Sequence, residues 1–135
     1  MNDLYGEVVL DHYRHPHNRG TLECAEATYE DENTLCGDAL RLDLAFDPPL
    51  DQQATPEERR IKEVRFNGQG CVISQAAASL LTDLVAGRTA AQVKALTTDD
   101  LLDELGITLS PARLKCALLS FKVLKAALYG ADIWT

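Results

Sequence analysis

The chain has 135 residues, 46% of them hydrophobic and 25% charged, which fits one compact domain over residues 1–135 that buries a core without disulfide help. Thirteen basic residues against 21 acidic ones give a formal net charge of −8, which argues against a face built to neutralise nucleic-acid phosphate or to sit on an anionic membrane. No apolar run reaches membrane-spanning length, and Met1–Tyr5 lacks the basic and apolar regions of a secretory leader, so a cytoplasmic setting is expected. Thiols stay reduced there, and the four cysteines read as metal ligands or nucleophiles rather than disulfides.

In chain order, Leu4 to His15 places Tyr5, Val8, Val9, His12 and Tyr13 at the spacing of one helix face. Pro16 ends that helix, because the residue before a proline avoids the helical region. His17 to Leu35 is polar and irregular, with a short strand near Ala27–Tyr29. Leu40, Leu42, Leu44 and Phe46 alternate with Arg41, Asp43 and Ala45, the pattern of a half-buried strand. A polar connection through Pro48, Pro49 and Pro56 leads to a strand from about Ile61 to Asn67, with Val64 and Phe66 on one face. The two strands suggest an antiparallel pair.

The second half reads as helical. Val72 to Val85 is rich in alanine and leucine, with Gly87 as its stop. Thr89 caps a short helix to about Leu96, and Thr97 or Thr98, ahead of Asp99 and Asp100, caps another that stops at Gly106. Ser110 followed by Pro111 starts a long last helix to Tyr129, ended by Gly130. Strands first and helices after predict an α+β fold: a small antiparallel sheet with helices packed on one face, an N-terminal helix and a long C-terminal one.

Three cysteines sit at structural punctuation. Cys36 precedes Gly37 and Asp38; if the segment is extended, the Cys36 and Asp38 side chains point the same way. Cys71 follows Gly68-Gln69-Gly70 at a strand-to-helix junction, and Cys116 lies early in the last helix, whose N-terminal field favours a thiolate, as does a neighbouring Lys115. Cys36, Asp38, Cys71 and Cys116 make a four-ligand set that suits tetrahedral zinc, or iron–sulfur iron, for which thiolates are the usual ligands. Against this stands the plain alternative that a lone cysteine is often a small buried hydrophobe, and no CxxC pair is present. Cys24, alone in a polar loop, reads as incidental. His12 and His15 share a helical spacing that would suit one metal, but the preferred reading packs His12 and leaves His15 and His17 in solvent.

Taken together and in order, several segments resemble the U-type iron–sulfur cluster assembly proteins, the IscU/NifU/SufU group. They are Leu4-Tyr5, Leu10-Asp11-His12-Tyr13 with Pro16-His17-Asn18, Cys36-Gly37-Asp38, Gly68-Gln69-Gly70-Cys71 with Ile73-Ser74 and Ala78-Ser79, and Pro111 through Leu119. The resemblance implies an α+β fold and convergence of Cys36, Asp38, Cys71 and Cys116 at one exposed end. It also implies a partner, a pyridoxal-phosphate cysteine desulfurase that delivers sulfur as a persulfide, and recipient apoproteins.

Two subtypes compete. The scaffold subtype receives iron and sulfide and builds a transient [2Fe–2S] cluster; a histidine usually precedes its last cysteine, where this chain has Lys115, and its Leu-Pro-Pro-Val-Lys motif is replaced by Leu109-Ser110-Pro111-Ala112-Arg113. The SufU-like subtype holds zinc and accepts sulfur in the manner of a sulfurtransferase, and Pro111-Ala112-Arg113-Leu114-Lys115-Cys116 looks like it. That subtype carries an insertion between the second and third ligand cysteines; here the extra length lies at Pro48–Glu58 instead. The expected function is a zinc-dependent sulfur acceptor, with Cys36 favoured as acceptor and Cys116 as the alternative. The other readings are a cluster scaffold and a purely structural zinc domain.

Overall fold

The computed structural model describes residues 6–33, 37–47, 59–106 and 109–129. Cys36, the start of the first helix before Gly6, the Pro48–Glu58 connection and Gly130 lie outside the described residues. The element order is α1 (Gly6–Arg14), β1 (Ala27–Asn33), β2 (Asp38–Asp47), β3 (Arg60–Gln69), α2 (Val72–Val85), α3 (Ala90–Ala95), α4 (Thr98–Leu105) and α5 (Pro111–Tyr129).

The strands form an antiparallel sheet in the order β1-β2-β3. Even-numbered β2 residues from Asp38 to Phe46 are buried, and with Ile61, Val64 and Phe66 of β3 they meet the helices. Ile61 and Val64 are three apart, which strict alternation would put on opposite faces. The register skips Lys62: Ala45 pairs with Glu63 and Phe46 with Ile61, and this bulge returns Ile61 to the core.

β1 is longer than the expected short strand. Its centre, Glu30-Asp31-Glu32, hides the strand from any hydrophobic pattern, yet charged residues are what an edge strand carries to discourage further pairing. The segment before it is also more ordered than its polarity suggests. Gly20 N–H donates to Phe66 O and Phe66 N–H to Asn18 O on the free edge of β3, while Glu26 N–H donates to Leu44 O beside β1. The chain between them crosses the open face of the sheet and covers Asp43, which is buried and accepts hydrogen bonds from Leu22 N–H, Thr28 Oγ1 and Arg41 Nε.

The caps explain the helix boundaries. Thr89 with Gln92 and Thr97 with Asp100 each form a reciprocal capping box, and Gly106 ends α4 in the left-handed region at φ 72°. Ser110 Oγ accepts Arg113 N–H at the start of α5. α5 lies against β1, β2 and α2, so it is apolar on most sides, and α1 packs on α2.

Candidate metal centre

Three elements remote in sequence bring their ends to one place. Asp38 is the first residue of β2, Cys71 caps the N-terminus of α2, and Cys116 lies in the second turn of α5. One ligand atom from each falls within 4.8 Å of the others. Asp38 and Cys116 are buried at 1% and 2% exposure, and Cys71 is half-buried.

Asp38 is fixed by the chain it faces. Its Oδ1 accepts Cys71 N–H at 2.9 Å, and its Oδ2 lies 4.0 Å from Cys71 Sγ. The sulfur also accepts Ser74 N–H at 3.4 Å, satisfying one of the otherwise unpaired donors of the first helical turn. Two glycines permit this approach. A Cβ on Gly70 would sit 2.4 Å from both Asp38 Oδ1 and Ser74 Oγ, and one on Gly68 would sit 2.1 Å from the Ala39 carbonyl oxygen. Gly68-Gln69-Gly70 is thus a close-approach device that seats Cys71 beside Asp38.

Two thiols and a carboxylate, desolvated and convergent, fit zinc, which accepts both ligand types. They fit iron–sulfur iron through the thiols. Cys116 stands beyond the first turn of α5, where the helix field has largely fallen away, so its position owes more to packing than to the dipole. Lys115 beside it is exposed. Gly37, just before β2, adopts φ 72°; the expectation that Cys36 and Asp38 point the same way lies outside the described residues.

Cys24 is exposed and outside this group; none of Cys24, Cys71 and Cys116 forms a disulfide. His12 is buried as expected, and His15 is exposed. His17 is exposed as expected, but it is also held in place: its backbone N–H donates to Ser79 Oγ at 2.8 Å, and its ring is hydrogen-bonded to Asp83. Sequence reasoning also passed over Arg19, whose guanidinium donates to Gly68 O at 3.1 Å and Gln75 Oε1 at 3.2 Å, tying the glycine loop to α2. No local pattern marks such a residue, because both partners are about fifty residues away.

Comparison with known proteins gives a consistent picture. The chain is 32% identical to the iron–sulfur cluster assembly scaffold protein IscU of Streptococcus pyogenes serotype M1, over 95% of this chain and 84% of that protein. It is 30% identical to the zinc-dependent sulfurtransferase SufU of Bacillus subtilis strain 168, over 93% of this chain and 89% of that one. A Fervidobacterium islandicum AW-1 crystal structure, described as a cluster assembly scaffold for the SUF system, superimposes with a TM-score of 0.75 at 26% identity, covering 94% of this chain and 98% of that one. The α+β fold agrees with it. The NifU-like N-terminal domain family matches residues 4–131, and the chain belongs to that family.

Proposed function

We propose that this protein works in iron–sulfur cluster assembly as a zinc-dependent sulfur acceptor, taking persulfide sulfur from a cysteine desulfurase in the cytoplasm, with residues 1–135 acting as one domain. The observation that carries the reading is the convergence of Asp38, Cys71 and Cys116 from three elements within 4.8 Å. Cys36, two residues before Asp38, completes the ligand set. Zinc, when bound, supplies a Lewis acid that keeps its thiol ligands deprotonated and in place.

The residues divide the work. Asp38 anchors Cys71 through its backbone N–H, and Gly68 and Gly70 leave room for that contact. Cys36 is the acceptor. Its thiolate attacks the terminal sulfur of the desulfurase persulfide; a sulfur–sulfur bond forms on Cys36 while the enzyme's own sulfur–sulfur bond breaks and its cysteine leaves as thiolate. No external oxidant is consumed. Cys116, at 2% exposure, is poorly placed to meet a persulfide from outside, which favours Cys36 over it.

The scaffold reading, in which a transient [2Fe–2S] cluster is built here from iron and sulfide and passed to recipient apoproteins, rests on the relatives named as scaffolds. Alanine release by the cognate cysteine desulfurase, measured with zinc-loaded and metal-free protein, separates the two. Stimulation by the zinc form alone, with persulfide capture lost in Cys36→Ala, is the expected result. A coloured cluster forming on metal-free protein, without zinc-dependent stimulation, would overturn it in favour of the scaffold.

A further inference from the structure

Among the described residues, one further group holds three metal-ligating side chains within 4.8 Å of one another: His12, His17 and Asp83. It contains no thiol. His12 comes from α1, Asp83 from the last turn of α2, and His17 from the turn after Pro16.

The group is tied together by its own hydrogen bonds. His12 Nδ1 lies 2.7 Å from Ser79 Oγ, the same oxygen that accepts His17 N–H. The two imidazoles lie 4.6 Å apart between centroids, tilted by 50°. Asp83 Oδ2 is hydrogen-bonded to His17 Nδ1, and Asp83 Oδ1 accepts Asn18 Nδ2 at 3.2 Å. Asn18 adopts φ 59°, a left-handed conformation uncommon outside glycine, and this turn places His17. His17 and Asp83 are 45% and 40% exposed, so the group opens to solvent while His12 forms its buried wall.

We propose that His12, His17 and Asp83 form a second metal site, selective for a first-row divalent ion, with water completing the coordination. Two imidazoles and one carboxylate are a nitrogen and oxygen donor set of the kind that suits zinc, iron(II) or cobalt(II). Ser79 and Asn18 supply the outer hydrogen bonds that orient such ligands. Anchoring the turn to α2 accounts for Ser79 and Asn18, but does not require the two rings and the carboxylate to face one another.

Cobalt(II) titration of the untagged, metal-stripped full chain tests this. Wild-type protein takes up one more ion than either His17→Ala or Asp83→Asn, and the ion lost in the variants is one without thiolate charge-transfer absorption. His15→Ala keeps the full number. Zinc added to labelled wild-type protein shifts the ring resonances of His12 and His17 and leaves those of His15 in place, a readout that needs no variant. Equal uptake by wild type and both variants, or unmoved His12 and His17 resonances, would overturn the proposal. Because the readout contains no thiolate signal, failure at the cysteine cluster would leave it intact and distinguishable.

Discussion

Asp38 Oδ1 accepts the backbone N–H of Cys71 at 2.9 Å, so one carboxylate both starts β2 and holds the N-terminus of α2. That carboxylate therefore has a structural task besides ligation. Asp38→Ala should destabilise metal-free protein by about 1–3 kcal/mol, the cost of losing a hydrogen bond to a charged acceptor, whereas Asp38→Asn, which retains an acceptor, should cost less. Both should weaken zinc binding. Denaturant unfolding of stripped protein, alongside competitive zinc titration, checks the two effects separately; equal stability of the two variants would refute the structural task.

The two glycines of the loop should fail differently. At Gly68 the added Cβ meets the Ala39 backbone, which cannot move without breaking the β2–β3 register. At Gly70 it meets side-chain atoms of Asp38 and Ser74 rather than backbone, so the ligand cluster is disturbed before the sheet is. Gly68→Ala should lower stability more than Gly70→Ala. Gly70→Ala should instead cost roughly 10–100-fold in metal affinity, as expected for disturbing the groups that orient ligands. Thermal unfolding and zinc competition on the two variants give the comparison.

His12 is held below the ordinary histidine pKa first by burial and then by His17, with Asp83 and Asp11 pulling the other way without cancelling this. The unfolded chain therefore binds more protons as pH falls. The contribution of His12 to stability is complete above about pH 6.5 and is lost as pH drops through the folded value. In metal-free protein the unfolding midpoint should fall as pH drops below about 6.5, less so in His12→Gln. A ring-proton titration placing His12 at or above the ordinary value would contradict this.

Asp43 shows the opposite kind of balance. Burial alone would raise its carboxyl pKa; hydrogen bonds from Leu22 N–H, Arg41 and Thr28 outweigh burial and hold it below the ordinary value. A lowered carboxylate stabilises the fold above the unfolded pKa, and that contribution is lost as pH falls through the folded one. Asp43→Ala, which removes the charged acceptor of Leu22 N–H and Thr28 Oγ1, should cost about 1–3 kcal/mol near pH 7. The gap to wild type should narrow below about pH 4, as unfolding at the two pH values will show.

Much of the fold was legible because its signals are local. Thr89, Thr97, Gly106 and Ser110 act within a turn of themselves, and the helix Val72–Val85 and both longer strands follow from their own periodicity. What sequence reasoning missed depends on distant partners. β1 runs on past the expected Ala27–Tyr29 through Glu30-Asp31-Glu32 because β2 pairs with it, despite its acids. Asp43 looks like an outward strand residue until the crossing segment covers it, and the exposed His17 gains a partner, Asp83, that only α2 supplies. The cysteine cluster was legible as residues but not as geometry: spacing alone could not place Cys116 beside Asp38.

The scattering of that cluster along the chain has one more consequence. Asp38, Cys71 and Cys116 lie on the start of β2, the start of α2 and α5, so a shared ion would tether them and close two long loops at once. In polymer terms it would act as a reversible cross-link, restraining one end of the molecule and leaving the far end to its own packing. Stripping the ion should then leave a directional imprint, with amide exchange speeding up at Asp38, Cys71 and Cys116 while the bulged end of the sheet at Phe46 and Ile61 keeps its rate.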